Sequence, residues 1–304
     1  MSKRIAVLMG GWSAEREVSL VSGKACADAL EARGYAVTRI DLKRDLSVLL
    51  TALQPRPDVV FNALHGRWGE DGNIQAVLNI LGIPYTHSGV LASAVAMDKA
   101  MAKKLFEAEG IPCPPGEVVS MEQLRAGAVM EPPYVIKPVD EGSSVGVHIV
   151  QSGDNNLPLD DLEAGRPVLV EKYIVGREFT VSVMGDRALA VTELRPHEGF
   201  YDYAAKYTDG KTTHLCPAPV SDDVAQLAME YAVTAHKALG CRGVSRADFR
   251  YDDTENDPGD LFMLEVNTQP GMTPLSLVPE QAAHAGIPFG DLMEWMVENA
   301  ACDS

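Results

Sequence analysis

The hydrophobic pattern changes character partway along the chain. Through the first part, short apolar runs alternate with longer amphipathic stretches. Residues 4–9 (RIAVLM) read as a buried strand. Residues 16–33 set Val18, Val21, Ala25 and Ala29 at helical spacing, and Gly34 is suited to close that helix. Strands are expected at 35–42 and 58–63, a helix at 74–81 ending at Gly82, and a short strand at 83–86. Such alternation predicts a small parallel sheet covered by helices. A further helix is expected over 97–109, closed by Gly110 and the turn IPCPP.

After that turn the rhythm changes. Residues 134–137, 147–150, 168–173 and 178–184 are β-rich and separated by glycines and polar turns. They predict an antiparallel α+β unit, with a domain boundary near residue 95. Residues 197–213 (HEGFYDYAAKYTDGKTT) are polar and aromatic with weak periodicity, which predicts a long loop. An amphipathic helix is expected over 224–239, with Ser221 as N-cap, Asp222 and Asp223 at the positive end of its dipole, and Gly240 beyond its end. Residues 247–251 and 261–266 read as a strand pair joined by the acidic loop DDTENDPGD, and 289–300 as a closing helix.

Composition narrows the partners. The chain has 304 residues, 46% hydrophobic and 23% charged, and a formal net charge of −17. That charge repels nucleic acid and anionic membranes, so neither is expected as a partner. A phosphate-rich ligand would need a local cluster of lysines and metal ions. The five cysteines form no CxxC pair, which favours reduced thiols. No apolar run approaches the ~20 residues of a membrane span, and a cytoplasmic protein is expected.

Five stretches carry candidate chemistry. Asp248 lies in one strand of the last pair. Glu265 and Asn267 lie in or just beyond the other, two residues apart and so on one face. Three oxygen donors converging there would suit Mg²⁺. The stretch VIKPVDEGSSVGV (135–147) ends a strand on Lys137 and follows it with a glycine–serine loop able to wrap phosphate oxygens, although it is not a Walker loop. Glu171, Lys172, Tyr173 and Ile174, with Glu178, form an alternating strand. His65 and the GEDG at 69–72 follow the third strand, at the edge where open α/β sheets bind ligands. Lys99 opens a helix behind Asp98. Each stretch alone also fits plainer structure: a solvated strand end, a hairpin loop, a surface strand, a structural histidine, a helix cap. The opening turn MGGWSAEREV suggests a dinucleotide-dependent oxidoreductase, but it lacks G-x-G-x-x-G and leaves the oxygen cluster unexplained.

Taken in order, these stretches resemble the D-alanine–D-alanine ligases of bacterial cell-wall synthesis, within the ATP-grasp superfamily. The resemblance rests on GGWSAEREVS, ALHGRWGEDG, MDKAMAK, VIKPVDEGSSVGV, VEKYIVGREFTV, FYDYAAKY, SRADFR, LEVNTQPGMT and SLVP, nearly end to end. It implies an α/β and α+β architecture in which a Rossmann-like N-terminal domain precedes a two-part ATP-grasp fold. The expected divisions are 1–95, a small central domain at 96–183, and a C-terminal domain at 184–304 whose 197–213 segment acts as a lid. The implied reaction is ATP-dependent ligation of two D-alanine molecules through D-alanyl phosphate, for peptidoglycan synthesis.

The resemblance also implies roles. Lys99 and Lys137 would contact ATP phosphates under the 142–146 loop, with Ser144 and Leu264 among the nucleotide contacts and Lys206 at the γ-phosphate. Glu171, Lys172 and the Ile174 backbone would meet adenine, and Glu178 the ribose. Asp248, Glu265 and Asn267 would hold two Mg²⁺ or Mn²⁺ ions, with Glu265 bridging. Glu15 would hold the first D-alanine's ammonium, with His65 nearby, and Ser143 and Tyr207 would be linked to Glu15. Ser276 and the Leu277 N–H would hold the second carboxylate; Arg246 and the Gly271 N–H would stabilise the oxyanion. Tyr207 within AAKY matches peptide-forming rather than ester-forming relatives. A homodimer is implied. Arg177, Gln269 and Val139-Asp140 depart from the pattern and are expected to touch no proposed ligand residue. The competing readings are another ATP-grasp carboxylate–amine ligase and a non-catalytic nucleotide-binding relative. Intact Arg246, Asp248, Glu265 and Asn267 argue against the second.

Overall fold

The chain's structure, a computed structural model, describes residues 2–127, 129–142, 145–154, 162, 165–197 and 210–303. Three sheets organise them. In the first, strand β1 (Arg4–Gly10) lies between β2 (Ala36–Leu42) and β3 (Val59–Asn62), all parallel. The run IAVLM is buried along its length, as a central strand covered on both faces must be. Helix α1 (Arg16–Ala32) connects β1 to β2, α2 (Leu46–Ala52) connects β2 to β3, and α3 (Asn73–Leu81) follows β3. Periodicity missed α2 because its apolar Leu46, Val48 and Leu50 are exposed; the Asp45 side chain starts it by accepting from the Ser47 and Val48 N–H groups.

Two expected elements change form. The strand expected at 83–86 reduces to a single bridge residue, Tyr85, which pairs with Val60 on one side and Ala301 on the other. Pro84 has no N–H to extend the ladder. The helix expected at 97–109 is α5 (Lys99–Ala108), and a separate helix that the pattern did not announce, α4 (Val90–Met97), runs up to it. Asp98 separates them with extended backbone (φ −87°, ψ 98°), and its side chain caps α5 at the Met101 N–H, 3.0 Å away.

The second sheet is antiparallel in the order β4-β7-β5-β6. Its strands are β4 (Gly116–Val119), β5 (Tyr134–Pro138), β6 (His148–Val150) and β7 (Val168–Lys172), and helix α6 (Met121–Ala126) packs beneath them behind a Ser120–Gln123 capping box. The third sheet, ordered β10-β9-β8-β11-β12, is also antiparallel. It comprises β8 (Arg177–Met184), β9 (Arg187–Pro196), β10 (Thr212–Leu215), β11 (Val244–Asp252) and β12 (Asp260–Asn267). Helices α7 (Asp222–Ala238), α8 (Leu277–His284) and α9 (Phe289–Glu298) complete the chain.

Part of the expected 197–213 loop is strand: Thr212 and Thr213 in β10 pair with Pro196 and Arg195 of β9. Ser143, Ser144, Lys206 and Tyr207, to which the resemblance gives roles, lie outside the described residues. The expected division at 183/184 falls inside β8, whose partners β9 and β11 both lie in the third sheet.

Two cores set the site's position. Phe106 of α5 and Ala228, Ala232 and Ala235 of α7 pack on Phe179, Val181, Phe249 and Met263 of the third sheet. Complete burial of Phe106 contributes about 1.5–3 kcal/mol, so this core anchors α5. The second core joins Ile5, Val7 and Phe61 of the parallel sheet to Leu292, Met293 and Met296 of α9, and to Met184 and Val244. It holds the first and third sheets together across α9.

Candidate active site

The turn after β1 uses Gly10 and Gly11 at φ +81° and +79°, a region that disfavours side chains. A Cβ on Gly10 would strike the Asp41 carboxylate, so β1 can turn here only as glycine. The turn delivers Glu15 to the start of α1, where it is buried. The loop after β3 brings His65 and Glu70 to the same cleft, and Gly142 closes on them from the second sheet's side. A Cβ built on Gly142 would lie 3.3 Å from Glu70 Oε1 and 3.4 Å from Glu15 Oε2. Two buried carboxyls therefore converge on one glycine. Burial first, and then the Glu15 charge, push the Glu70 carboxyl well above the usual carboxylate range. Its place in GEDG was visible in the sequence; its turn toward Glu15 was not.

His65 is braced at both ring nitrogens. Nδ1 lies 3.2 Å from the Gln269 carbonyl, which only accepts, so Nδ1 carries the hydrogen. Nε2 lies 3.1 Å from the Ser22 hydroxyl, which itself accepts from the Met272 N–H at 3.4 Å. Burial pulls the imidazole's pKa down against the pull of Glu15, and favours the neutral ring. His65 thus ties the 269–272 turn to α1. Two positions expected to lie clear of the proposed ligand residues do not. The Gln269 N–H donates to Asn267 Oδ1 at 2.8 Å, and its side-chain amide donates to the Asn62 carbonyl. The Val139 carbonyl accepts from the Lys99 N–H at 3.0 Å. The Gln269–Asn267 contact is a local turn two residues long, whereas the Gln269–Asn62 and Lys99–Val139 contacts join segments far apart in sequence, so no local pattern announces those two.

The oxygen cluster is built by strand register. Asp248 on β11 faces Glu265 on β12, and Arg246 faces Asn267, so all four share one face. Arg246 grips Asp248 with Nε at 2.8 Å and Nη2 at 2.7 Å, and the Thr180 hydroxyl on β8 donates to the same carboxylate at 2.7 Å. Lys99 Nζ lies 3.1 Å from Glu265 and donates to the Glu141 carbonyl at 2.6 Å. Burial pulls the Lys99 pKa down, but Glu265, Glu171 and Glu70 raise it overall. Among the described residues no three histidine, cysteine or acidic side chains are grouped to hold a metal; this set is two carboxylates plus the Asn267 amide.

A second cleft opens between the two antiparallel sheets. Val135, Val147, Ile149 and Leu264 line its apolar walls, and Lys137, Glu171, Lys172 and Glu178 its polar edge. Arg250 orders one end by donating to the Ile174 carbonyl at 3.0 Å, with its guanidinium 3.6 Å from Glu178. Glu171 is buried between Lys103 and Lys137, although its strand alternation equally fitted a surface edge. The two clefts meet at Lys99, Glu141 and Glu265, which line both. At the far end of the first cleft, Ser276 Oγ accepts from the Thr273 N–H at 2.9 Å, beside Gly271.

Two antiparallel sheets closing on a lysine-lined cleft, beside a parallel sheet that carries a second cleft, define an enzyme of the ATP-grasp class. Residues 105–298 match the D-ala D-ala ligase C-terminus, and residues 47–88 the D-ala D-ala ligase N-terminus. The chain is 58% identical to a D-alanine–D-alanine ligase of Parvibaculum lavamentivorans, over 99% of both chains, and 58% identical to one of Rhodospirillum rubrum, over 100% of both. It superposes on the crystal structure of the Bacillus anthracis D-alanine–D-alanine ligase complexed with ATP with a TM-score of 0.82, at 33% identity, over 98% of this chain and 97% of that one. The chain belongs to the D-alanine–D-alanine ligase family.

One steric relation at this site is directly testable. A Cβ on Gly271 would lie 2.9 Å from Ser276 Oγ, too close for both to keep their places. Gly271→Ala is expected to displace Ser276 and raise the KM of the second substrate about tenfold, matching a typical overpacking cost of about 1–3 kcal/mol. ATP affinity should not change. Steady-state kinetics with each substrate varied in turn check this.

Proposed function

We infer that these two joined clefts perform the family's reaction, the ATP-dependent ligation of two D-alanine molecules to D-alanyl-D-alanine. The protein is a peptide-bond-forming ligase that releases ADP and phosphate, and its product serves peptidoglycan synthesis. The observation that carries the assignment within the molecule is the meeting of the clefts at Lys99, Glu141 and Glu265. A phosphoryl group held in one cleft is there within reach of a carboxylate held in the other.

The chemistry follows from leaving groups. A free carboxylate resists amines because oxide would have to leave. The carboxylate of the first D-alanine takes the γ-phosphoryl group of ATP, giving D-alanyl phosphate and ADP. The amine of the second D-alanine then attacks the acyl carbon, and phosphate leaves. Lys99 and Lys137 meet the charge of the transferring group. Glu15 takes the ammonium of the first D-alanine. Ser276 and the Leu277 N–H, at the start of α8, take the second carboxylate. Arg246 and the Gly271 N–H face the oxyanion. Lys172, the Ile174 backbone and Leu264 bound the adenine, and Glu178 the ribose; Glu171, also expected at the adenine, instead has both carboxylate oxygens engaged by Lys103 and Lys137. The family pattern adds Ser143 and Tyr207 to the Glu15 network, and Ser144 and Lys206 to the phosphate site.

Asp248, Glu265 and Asn267 fit Mg²⁺ or Mn²⁺. All three donors are oxygens, which hard cations prefer, and Asp248 lies directly across the strand pair from Glu265. When bound, two such ions would supply charge neutralisation to the phosphates. No helix among the described residues is long and apolar enough to cross a membrane, in keeping with a cytoplasmic enzyme. A homodimer and a division near residue 95 complete the reading, with the second division placed between β7 and β8 rather than at 183/184, where it would cut β8.

Coupled ADP and phosphate release tests it. D-alanine is expected to support turnover only with a divalent cation, with L-alanine inactive. D-lactate is expected to compete poorly with D-alanine at neutral pH. Efficient D-lactate use would overturn the amine preference, and activity with another amino acid but none with D-alanine would overturn the substrate.

A further inference from the structure

Helix α5 carries two lysines one turn apart, Lys99 and Lys103, so both project from one face. Lys99 reaches the junction of the clefts. Lys103 does not line either cleft and lies behind the nucleotide cleft, whose lining includes Glu171 and Lys137. Its Nζ donates to the Pro114 carbonyl at 2.6 Å and pairs with Glu171 Oε1, while Lys137 pairs with Glu171 Oε2. The three side chains are 8%, 3% and 9% exposed.

A buried lysine is costly unless it is paired and hydrogen-bonded. Here one carboxylate serves two lysines, one oxygen each, so the trio keeps one net positive charge. Only Lys137 presents that charge to the cleft. Burial pushes the Glu171 carboxyl up, but the two ammonium groups outweigh it and hold it below the usual range. Strands β5 and β7 are adjacent in the sheet, and the pairing lets both Lys137 and Glu171 be buried there.

We propose that Lys103 is a positioning residue for the ATP phosphates: it pins Glu171, which in turn fixes Lys137 toward the nucleotide cleft. This rests on reading that cleft as the ATP site. Without Lys103, Glu171 keeps one partner and is free to swing with Lys137, so the lysine no longer stands where the phosphates arrive. The adenine end of the cleft, bounded by Ile174 and Leu264, is unaffected.

The test compares the full-length enzyme with Lys103→Met, Lys103→Arg, Lys137→Met and the Lys103→Met/Lys137→Met pair. Equilibrium binding of ATP and of adenosine is measured alongside steady-state kinetics. Lys103→Met is expected to weaken ATP binding about tenfold to a hundredfold, the range for losing a hydrogen bond to a charged group. Adenosine affinity and the KM for D-alanine should not change, and Lys103→Arg should restore most of the loss. In the Lys137→Met background the second substitution should add little. Equal losses for ATP and adenosine, unchanged ATP affinity in Lys103→Met, or fully multiplicative effects would each overturn the proposal. Unchanged ATP affinity in Lys137→Met alone would overturn the reading of the cleft itself. Should Lys103→Met fail to fold, Lys103→Gln in the same cycle gives the same readout.

Discussion

Glu265→Gln is expected to abolish turnover while leaving the fold intact. Glu265 lines both clefts, faces Asp248 across the strand pair and lies 3.1 Å from Lys99. Glutamine keeps its size and removes only its charge. The loss strikes at the point where phosphate charge must be met, so at least about a thousandfold in kcat is expected, the upper range for removing one group that stabilises developing charge. The melting temperature should fall only modestly, because the β11–β12 ladder rests on backbone bonds and Lys99, though it loses a charged partner, keeps its hydrogen bond to the Glu141 carbonyl. ADP release at saturating substrate, alongside a melting curve, checks both halves. Retained activity would sink the assignment of Glu265 as a metal ligand.

Glu15→Gln is expected to separate the two substrates. The KM for the first D-alanine should rise about a hundredfold or more, as when one partner of a buried charge pair is removed, while ATP affinity stays unchanged. Glu15 lines the substrate cleft and not the nucleotide cleft. The substitution also removes a neighbour that raises the Glu70 carboxyl, after burial the largest cause of that shift. Glu70 should therefore ionise at lower pH, and an NMR titration of its carboxyl carbon measures the shift. If ATP affinity fell instead, the turn after β1 would be a nucleotide site after all.

How much of this site was legible depends on how far apart its parts lie in sequence. Glu265 and Asn267 share a face by simple strand alternation, and β11 and β12 were readable as a pair. The glycines at Gly10 and Gly11 announced a tight turn, and Asp98 a helix cap. Other features had no local signal. Asp98 ends one helix as well as starting the next, because its extended backbone turns Lys99 toward Val139. Glu70, Gln269 and Lys103 looked like ordinary polar residues on a loop, a turn and a helix. Strand β9 went unread because its neighbours in the sheet, not its own alternation, bury it.

The sequence by itself determined the periodic elements, the sharp turns and the ordered motifs that mark the family. These depend on dihedral preferences and on spacings of two to four residues, which are local physics. Only the tertiary structure decided which charges would be buried together: Glu15 with Glu70 around Gly142, Glu171 between Lys103 and Lys137, and Glu265 beside Lys99. A charge out of water either meets an opposite partner, as Glu171 and Glu265 meet lysines, or is driven towards its neutral form, as burial and Glu15 drive the Glu70 carboxyl; in each case the neighbour comes from a segment remote in the chain. Spacing along the chain sets which way a side chain points; packing sets what it finds there.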